Sequence, residues 1–291
     1  MAQVAAAEAT ETAVREIAIY GKGSCGKSTV ATNIAYCFQQ MGQKVMLVGC
    51  SPKSDSTVFL LGGRIPTRNI LDYSRSTPIT DANIQEIIYE GARGIKCVEA
   101  GGPAPAEGCA GRGVALALDV LKRLKVYRKL GITMVIYDVI ADVVCGGFSQ
   151  PMRGGYAREV YLVSSGELMA VYSANNICAA IADLAQSGVD VGVGGIIVNE
   201  RGVARERDLM TEFGERIGVP IIGFIPRSPL VQQAERLGGT VVEKLPRSPQ
   251  AQCYYDVANA IAARTPEDVA IPTPITLPEI MGLLRKYQAL D

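Results

Sequence analysis

Short apolar runs alternate with helix-period stretches along most of the chain. Residues 17–20 (Ile-Ala-Ile-Tyr) and the run to Cys50 from Lys44 are continuous rather than alternating, as expected of strands buried on both faces of a parallel sheet. Further strand-like runs fall at 95–99, 133–137, 159–163, 191–198 and 220–225. Helical spacing of apolar residues marks 29–41, 114–124, 168–186, 204–217 and roughly 251–263, and 83–89 reads as helical too. Six or seven apolar runs separated by helices predict an α/β chain with a doubly wound, mostly parallel sheet flanked by helices. No internal repeat or linker interrupts the alternation. A single domain is therefore expected over 16–270, with a disordered N-terminal tail at 1–15 and a C-terminal tail at 271–291. Pro272 and Pro274 prevent a helix there, and a short one is expected over 278–287.

Composition narrows the function classes. The chain has 291 residues, 48% of them hydrophobic, enough for a large core. Lys+Arg and Asp+Glu both number 29, so the balance favours neither a nucleic acid nor an anionic membrane. No apolar run approaches 18 residues, and the Ala/Thr/Glu-rich start lacks the basic and apolar regions of a signal peptide. A cytoplasmic location is expected, where eight cysteines serve as thiols or metal ligands more often than as disulfides. Histidine is absent, so a metal must take thiolates or carboxylates, and a general base must be Asp, Glu or Lys.

The strongest motif follows the first strand. Gly21-Lys22-Gly23-Ser24-Cys25-Gly26-Lys27-Ser28 fits G-x-x-x-x-G-K-[ST] and leads into the helix that Thr29 begins. The glycines let backbone N–H groups curl around phosphates. Lys27 reaches their oxygens, Ser28 ligates Mg²⁺, and the helix start adds positive potential. P-loop NTPase is the fold class this implies. Lys22, a second lysine inside the loop, stands too early to be the phosphate lysine.

Three acids sit where loops leave strands. Asp138 occupies the position of a carboxylate that holds the metal through water, although a helix or turn cap has the same sequence appearance. Asp55 suits sensing of metal and γ-phosphate, and Asp142 lies in a loop able to respond to the nucleotide. Cys109 and Cys145 are embedded among glycines, in Gly108 to Gly113 and Cys145-Gly146-Gly147. Backbone N–H groups can approach a sulfur in such settings, as they do around iron–sulfur clusters, yet Cys-Gly-Gly also occurs in ordinary turns. Two thiolates are too few for a four-cysteine cluster, whereas a twofold dimer supplies four. Cys37, Cys50, Cys97, Cys178 and Cys253 read as small buried hydrophobes. In Cys25 the backbone is expected to matter more than the thiol.

With these segments in view the chain resembles the nitrogenase iron protein family, the ATP-dependent electron donors of nitrogenase and nitrogenase-like reductases. The resemblance runs from about residue 16 to the end. It rests on Ile19 to Gly23, Pro52-Lys53 with Asp55-Ser56-Thr57, Cys97 through Gly113, Tyr137-Asp138 with Asp142 to Phe148, Ser165-Gly166-Glu167, Ala174 to Ile177, Ile225-Pro226-Arg227 and Ile271 to Thr276. It implies a homodimer with one [4Fe-4S] cluster held by Cys109 and Cys145 of both chains, and MgATP in each subunit. It makes Lys22 a contact to the partner's nucleotide, Asp55 and Asp138 nucleotide-responsive acids, Asp142 the switch residue near the attacking water, and Arg112 a residue of the docking face. Asn199 would contact adenine, with Pro226 and Arg227 flanking the pocket. A ferredoxin or flavodoxin would supply electrons, and a heteromeric nitrogenase-like component would receive them.

One departure bears on hydrolysis: Ser51-Pro52-Lys53 stands where the family usually has Asp-Pro-Lys. An acid able to orient water is missing there. Ser51 and Leu60-Leu61-Gly62-Gly63 look unlike the nitrogenase type, whereas the second half and 271–277 look like it. The favoured expectation is a donor to a methylthio-alkane reductase, ahead of nitrogenase itself and tetrapyrrole reductases. A partition-type ATPase would not need Cys109 and Cys145, and a cluster scaffold usually carries Cys-x-x-Cys.

Overall fold

The computed structural model describes residues 14–103, 111–140 and 146–289. In chain order it contains β1 (Arg15–Gly21), α1 (Lys27–Gln40), β2 (Val45–Gly49), α2 (Ile70–Ser76), β3 (Tyr89–Glu90), β4 (Lys96–Glu99), α3 (Gly111–Arg123), α4 (Val126–Lys129), β5 (Met134–Ile140) and α5 (Gln150–Arg153). There follow β6 (Glu159–Ser164), α6 (Leu168–Gln186), β7 (Gly192–Asn199), α7 (Glu206–Ile217), β8 (Ile221–Ile225), α8 (Pro229–Arg236), α9 (Val241–Lys244), α10 (Pro249–Ala262) and α11 (Leu277–Lys286).

The strands form one sheet in the order β3-β4-β2-β5-β1-β6-β7-β8, all parallel except the β3 edge. Because β1 is covered on both faces it is apolar throughout its centre. Ala18 and Tyr20 enter one core with residues of α3, α6, α7 and α11, while Ile17 and Ile19 enter the other with α1, α9 and α10. β1 lies between β5 and β6, so the loop that follows it emerges at the middle of the sheet's carboxyl edge, where open α/β sheets bind ligands.

The 83–89 stretch is not an α-helix. A 3₁₀ turn (Ile84–Ile87) buries Ile84 and Ile87, and Tyr89 then pairs antiparallel with Cys97. Its apolar spacing seats a turn and an edge strand. Helix α6 is long and apolar enough to cross a membrane by composition, yet Val171, Ala174, Ile177, Cys178 and Ile181 of its inner face are buried in the core.

Residues 271–289 pack on α6 and α7 of the same chain. Ile280, Leu283 and Leu284 are buried, and Thr276 with Glu279 forms a capping box. Asn175 on α6 fastens the segment's entry. Its Nδ2 donates to the Ile275 carbonyl at 2.8 Å, and its Oδ1 accepts the Ile275 N–H at 2.9 Å. At the far end the Glu212 carboxylate accepts from Lys286, Tyr287 and Arg216. We predict that Asn175→Ala, which strands both backbone groups of Ile275, costs about 1–3 kcal/mol. Hydrogen exchange should accelerate in 271–289 well before the central strands respond.

Candidate functional site

The chain leaves β1 at Gly21 and enters α1 at Lys27. Ser24 (φ 78°) and Gly26 (φ 82°) both take the left-handed conformation, which turns successive backbone N–H groups inward before the helix starts. A side chain on Gly21 would collide with the Val163 carbonyl of β6. The outside of the loop is braced from β7: Asn199 Nδ2 donates to the Cys25 carbonyl at 2.6 Å, and Arg201 donates to the Ser24 carbonyl. The Cys25 thiol is buried and bonds the Val163 carbonyl at 3.4 Å, so it too anchors the loop. Burial raises its pKa, which leaves it unreactive. Lys22 is half-buried at the loop's tip, between buried Gly21 and exposed Gly23.

Asp138 points up from β5, which β1 and β2 flank. One carboxylate oxygen takes the Lys27 ammonium and the other accepts the Ser28 hydroxyl at 2.6 Å. Lys27 is 6% exposed and Asp138 fully buried. The predicted phosphate lysine, Mg²⁺ serine and metal-side acid thus meet at one point. A buried ion pair of this kind persists because removing either partner would leave the other charge uncompensated.

The loop after β2 lies beside this point. Ser51 is buried, its Oγ accepting the Lys53 N–H at 3.2 Å, while Lys53 and Asp55 are exposed. Pro52 rests against Gly102: a Cβ there would stand 2.8 Å from Pro52 Cα. The nucleotide-side loop therefore touches the glycine-rich segment that leads to Cys109. Sequence reading passed over Glu99, whose carboxyl holds Thr57 of this loop through both N–H and hydroxyl at 2.7 Å.

Cys109, Asp142 and Cys145 lie outside the described residues. Their flanks, however, meet. A Cβ on Gly147 would run into the backbone of Gly111, so the two segments touch main chain to main chain two residues beyond each cysteine. Gly113 in turn packs on the Gly101 carbonyl. The Tyr20 hydroxyl, from β1, donates to the Phe148 carbonyl at 2.6 Å and secures the second flank. Arg112 is exposed in the first turn of α3.

On the other side, Arg227, after β8, lines an open pocket of about 440 Å³ with Glu200 and Val203 of the turn after β7 and Arg205 and Arg207 at the start of α7. Pro226 is half-buried beside it, its carbonyl accepting from Gln250 at 3.1 Å. Asn199 lies at the pocket's entrance strand, with its amide N–H committed to the phosphate loop. Glu206 shapes the intervening turn: its carboxylate accepts backbone N–H groups of Gly166 (2.7 Å), Arg201 (2.9 Å), Gly202 (2.9 Å) and Val203 (3.2 Å). Neither Arg201 nor Glu206 was singled out by spacing. An acid in the first turn of a helix reads as an ordinary dipole partner. Of the five cysteines expected to be buried, Cys253 is half-exposed and the other four are buried.

The chain matches the family described as "4Fe-4S iron sulfur cluster binding proteins, NifH/frxC family" over residues 15–290. It is 46% identical over 280 residues to nitrogenase iron protein 1 of Methanothermobacter thermautotrophicus, covering 96% of this chain and 100% of that protein. It is 44% identical over 276 residues to the nitrogenase iron protein of Methanospirillum hungatei, covering 94% and 96%. Among solved structures, the septum site-determining protein MinD complexed with Mg-ADP from Pyrococcus horikoshii superposes with a TM-score of 0.65 at 18% identity, covering 86% and 96%. That likeness is one of fold.

Asp138→Asn should strand the buried Lys27 charge and cost about 3–5 kcal/mol in denaturant unfolding. An Asp138→Asn protein as stable as the parent would remove the ion pair from its central place.

Proposed function

This chain belongs to the NifH/frxC family of 4Fe-4S iron–sulfur cluster-binding proteins, and on that premise we propose that it is an ATP-gated one-electron donor working as a homodimer. It is a nitrogenase iron protein-like reductase component, and its cofactors are a [4Fe-4S] cluster and MgATP. The observation that carries the proposal is the backbone contact of Gly111 with Gly147. It joins the flanks of the segments bearing Cys109 and Cys145: Phe148 is tied to Tyr20 of β1, ahead of the phosphate loop, and Gly113 packs on Gly101, beside the Gly102 contact with Pro52 of the loop after β2.

The residues fit both groups. Gly21 to Thr29 offers the inward N–H groups of a left-handed turn and a helix N-terminus for phosphates, with Ser28 and Asp138 for Mg²⁺. Gly147 and Gly113 allow main-chain contacts with Gly111 and Gly101, and glycines beside a thiolate let backbone N–H groups approach a cluster's sulfurs. In our reading Cys109 and Cys145 of each protomer ligate the cluster, which supplies the one-electron couple. Lys22 reaches the partner's nucleotide. Asp55 and Asp142 report its state, Asn199, Pro226 and Arg227 border the base, and exposed Arg112 meets the catalytic component. In the same reading the 271–291 segment, with its apolar Ile271 and Leu277 exposed, packs on the second protomer. A ferredoxin or flavodoxin reduces the dimer in the cytoplasm.

For the partner we favour a nitrogenase-like reductase of methylthio-alkanes, because Ser51 and the 60–63 stretch depart from the nitrogenase pattern. The second reading, a donor to dinitrogen reduction, is supported by the 46% identity to a protein named nitrogenase iron protein. Capture of the native complex under anaerobic conditions and identification of its metallocluster and substrate decides between them.

Two outcomes are expected of the purified protein. Cys109→Ser or Cys145→Ser should lose the cluster's absorbance and iron while still binding MgADP, and Gly147→Ala should lower iron content without removing a ligand. Full iron in Cys145→Ser would exclude the ligand assignment. Ser51 supplies no carboxylate, so the dimer alone should hydrolyse ATP very slowly. Rates equal with and without the catalytic component would overturn this.

A further inference from the structure

The register of the sheet sets Glu99 on β4, Gly49 on β2 and Asp138 on β5 side by side. The middle residue has no side chain, and the Glu99 carboxyl fills its place. A Cβ on Gly49 would run into Glu99 Oε2 and stand 2.7 Å from Ser56 Cβ. Glu99 is fully buried, and Oε1 accepts the Thr57 N–H and hydroxyl. Oε2 and the Ser56 hydroxyl are both buried, and neither has a hydrogen-bond partner.

A buried carboxylate oxygen without a partner is costly while ionised, and protonation removes that charge. An ionised Glu99 would be a buried charge facing other negative charge. Asp138 from β5 and Asp55 from the loop act on it, the Cys97 thiol shares its strand and the Cys50 thiol ends β2. Lys27, the buried cation of the site, is engaged by Asp138.

We propose that Glu99 is a positioning residue of the nucleotide site that works in its neutral form. Oε1 holds Thr57 while protonation removes the charge from the buried, unpartnered Oε2, fastening the 51–57 loop and Asp55 to the strand that leads into the glycine-rich segment. The proposal rests on the reading of Gly21 to Ser28 as a nucleotide loop. Burial, reinforced by Asp138 and Asp55 against the Thr57 hydrogen bonds, pushes the carboxyl up to about 8 from 4.5. The folded chain then binds more protons than the unfolded chain between those values, so this residue's contribution to stability declines as pH rises through that window and is level above it.

The test uses the full-length, cluster-loaded protein. The infrared spectrum at pH 7 should contain a protonated-carboxyl band that disappears as wild type is titrated past about pH 8, and that Glu99→Gln lacks. The wild-type unfolding midpoint should fall between pH 5 and 8, and the slope should flatten in Glu99→Gln. For MgADP, Glu99→Ala should weaken binding roughly tenfold, about 1.4 kcal/mol, and Glu99→Gln should restore most of it. Absence of the band in wild type, or its persistence in Glu99→Gln, overturns the neutral form. Equal MgADP affinities for Glu99→Ala and wild type overturn the positioning role. Failure of wild type to bind MgADP while the band is present would instead sink the nucleotide-site reading.

Discussion

The ion pair between Lys27 and Asp138 constrains everything around it. Both charges are buried at the centre of the sheet, where neither tolerates the loss of the other. To bring them together, β5 must neighbour β1, the loop after Gly21 must close within a few residues, and α1 must start at Lys27 itself. Ser28 then lands on the second oxygen of the same carboxylate. The geometry fixes the position of a cation and the means of satisfying it before any phosphate arrives.

Around that pair, missing side chains determine who touches whom. Gly49 makes room for Glu99, Gly102 lets Pro52 approach, and Gly111 and Gly147 bring two segments into main-chain contact. These glycines are read best as distances. Each marks a place where one backbone must come closer to its neighbour than a Cβ permits.

Much of this was legible in the chain. Continuous apolar runs marked every parallel strand to within about three residues at each end, because burial on both faces leaves few polar positions; residues 168–186 were recovered as a helix in full. The phosphate loop was legible because its function fixes local spacing. Short helices such as α5, α8 and α9 were not, since one or two turns carry too few positions for a period. Nor were Glu99, Arg201 and Glu206 legible as site residues. Glu99 and Arg201 bond to residues 42 and 177 positions away, and Glu206 reaches Gly166 as well as its own turn, contacts that only the sheet order brings close. The 83–89 stretch misled for a related reason: the pairing of Tyr89 with Cys97 overrides local helix preference.

The hydrogen bond from Tyr20 to the Phe148 carbonyl has a wider meaning. Tyr20 directly precedes the first glycine of the phosphate loop, and Phe148 follows the Cys-Gly-Gly segment by one residue. A single phenol oxygen thus joins two sites that sequence separates by more than a hundred positions. Selection acting on either site meets the other through it. A change at the end of β1 that displaced the phenol would be felt at the carbonyl of Phe148, so the interior here cannot be altered at one end alone.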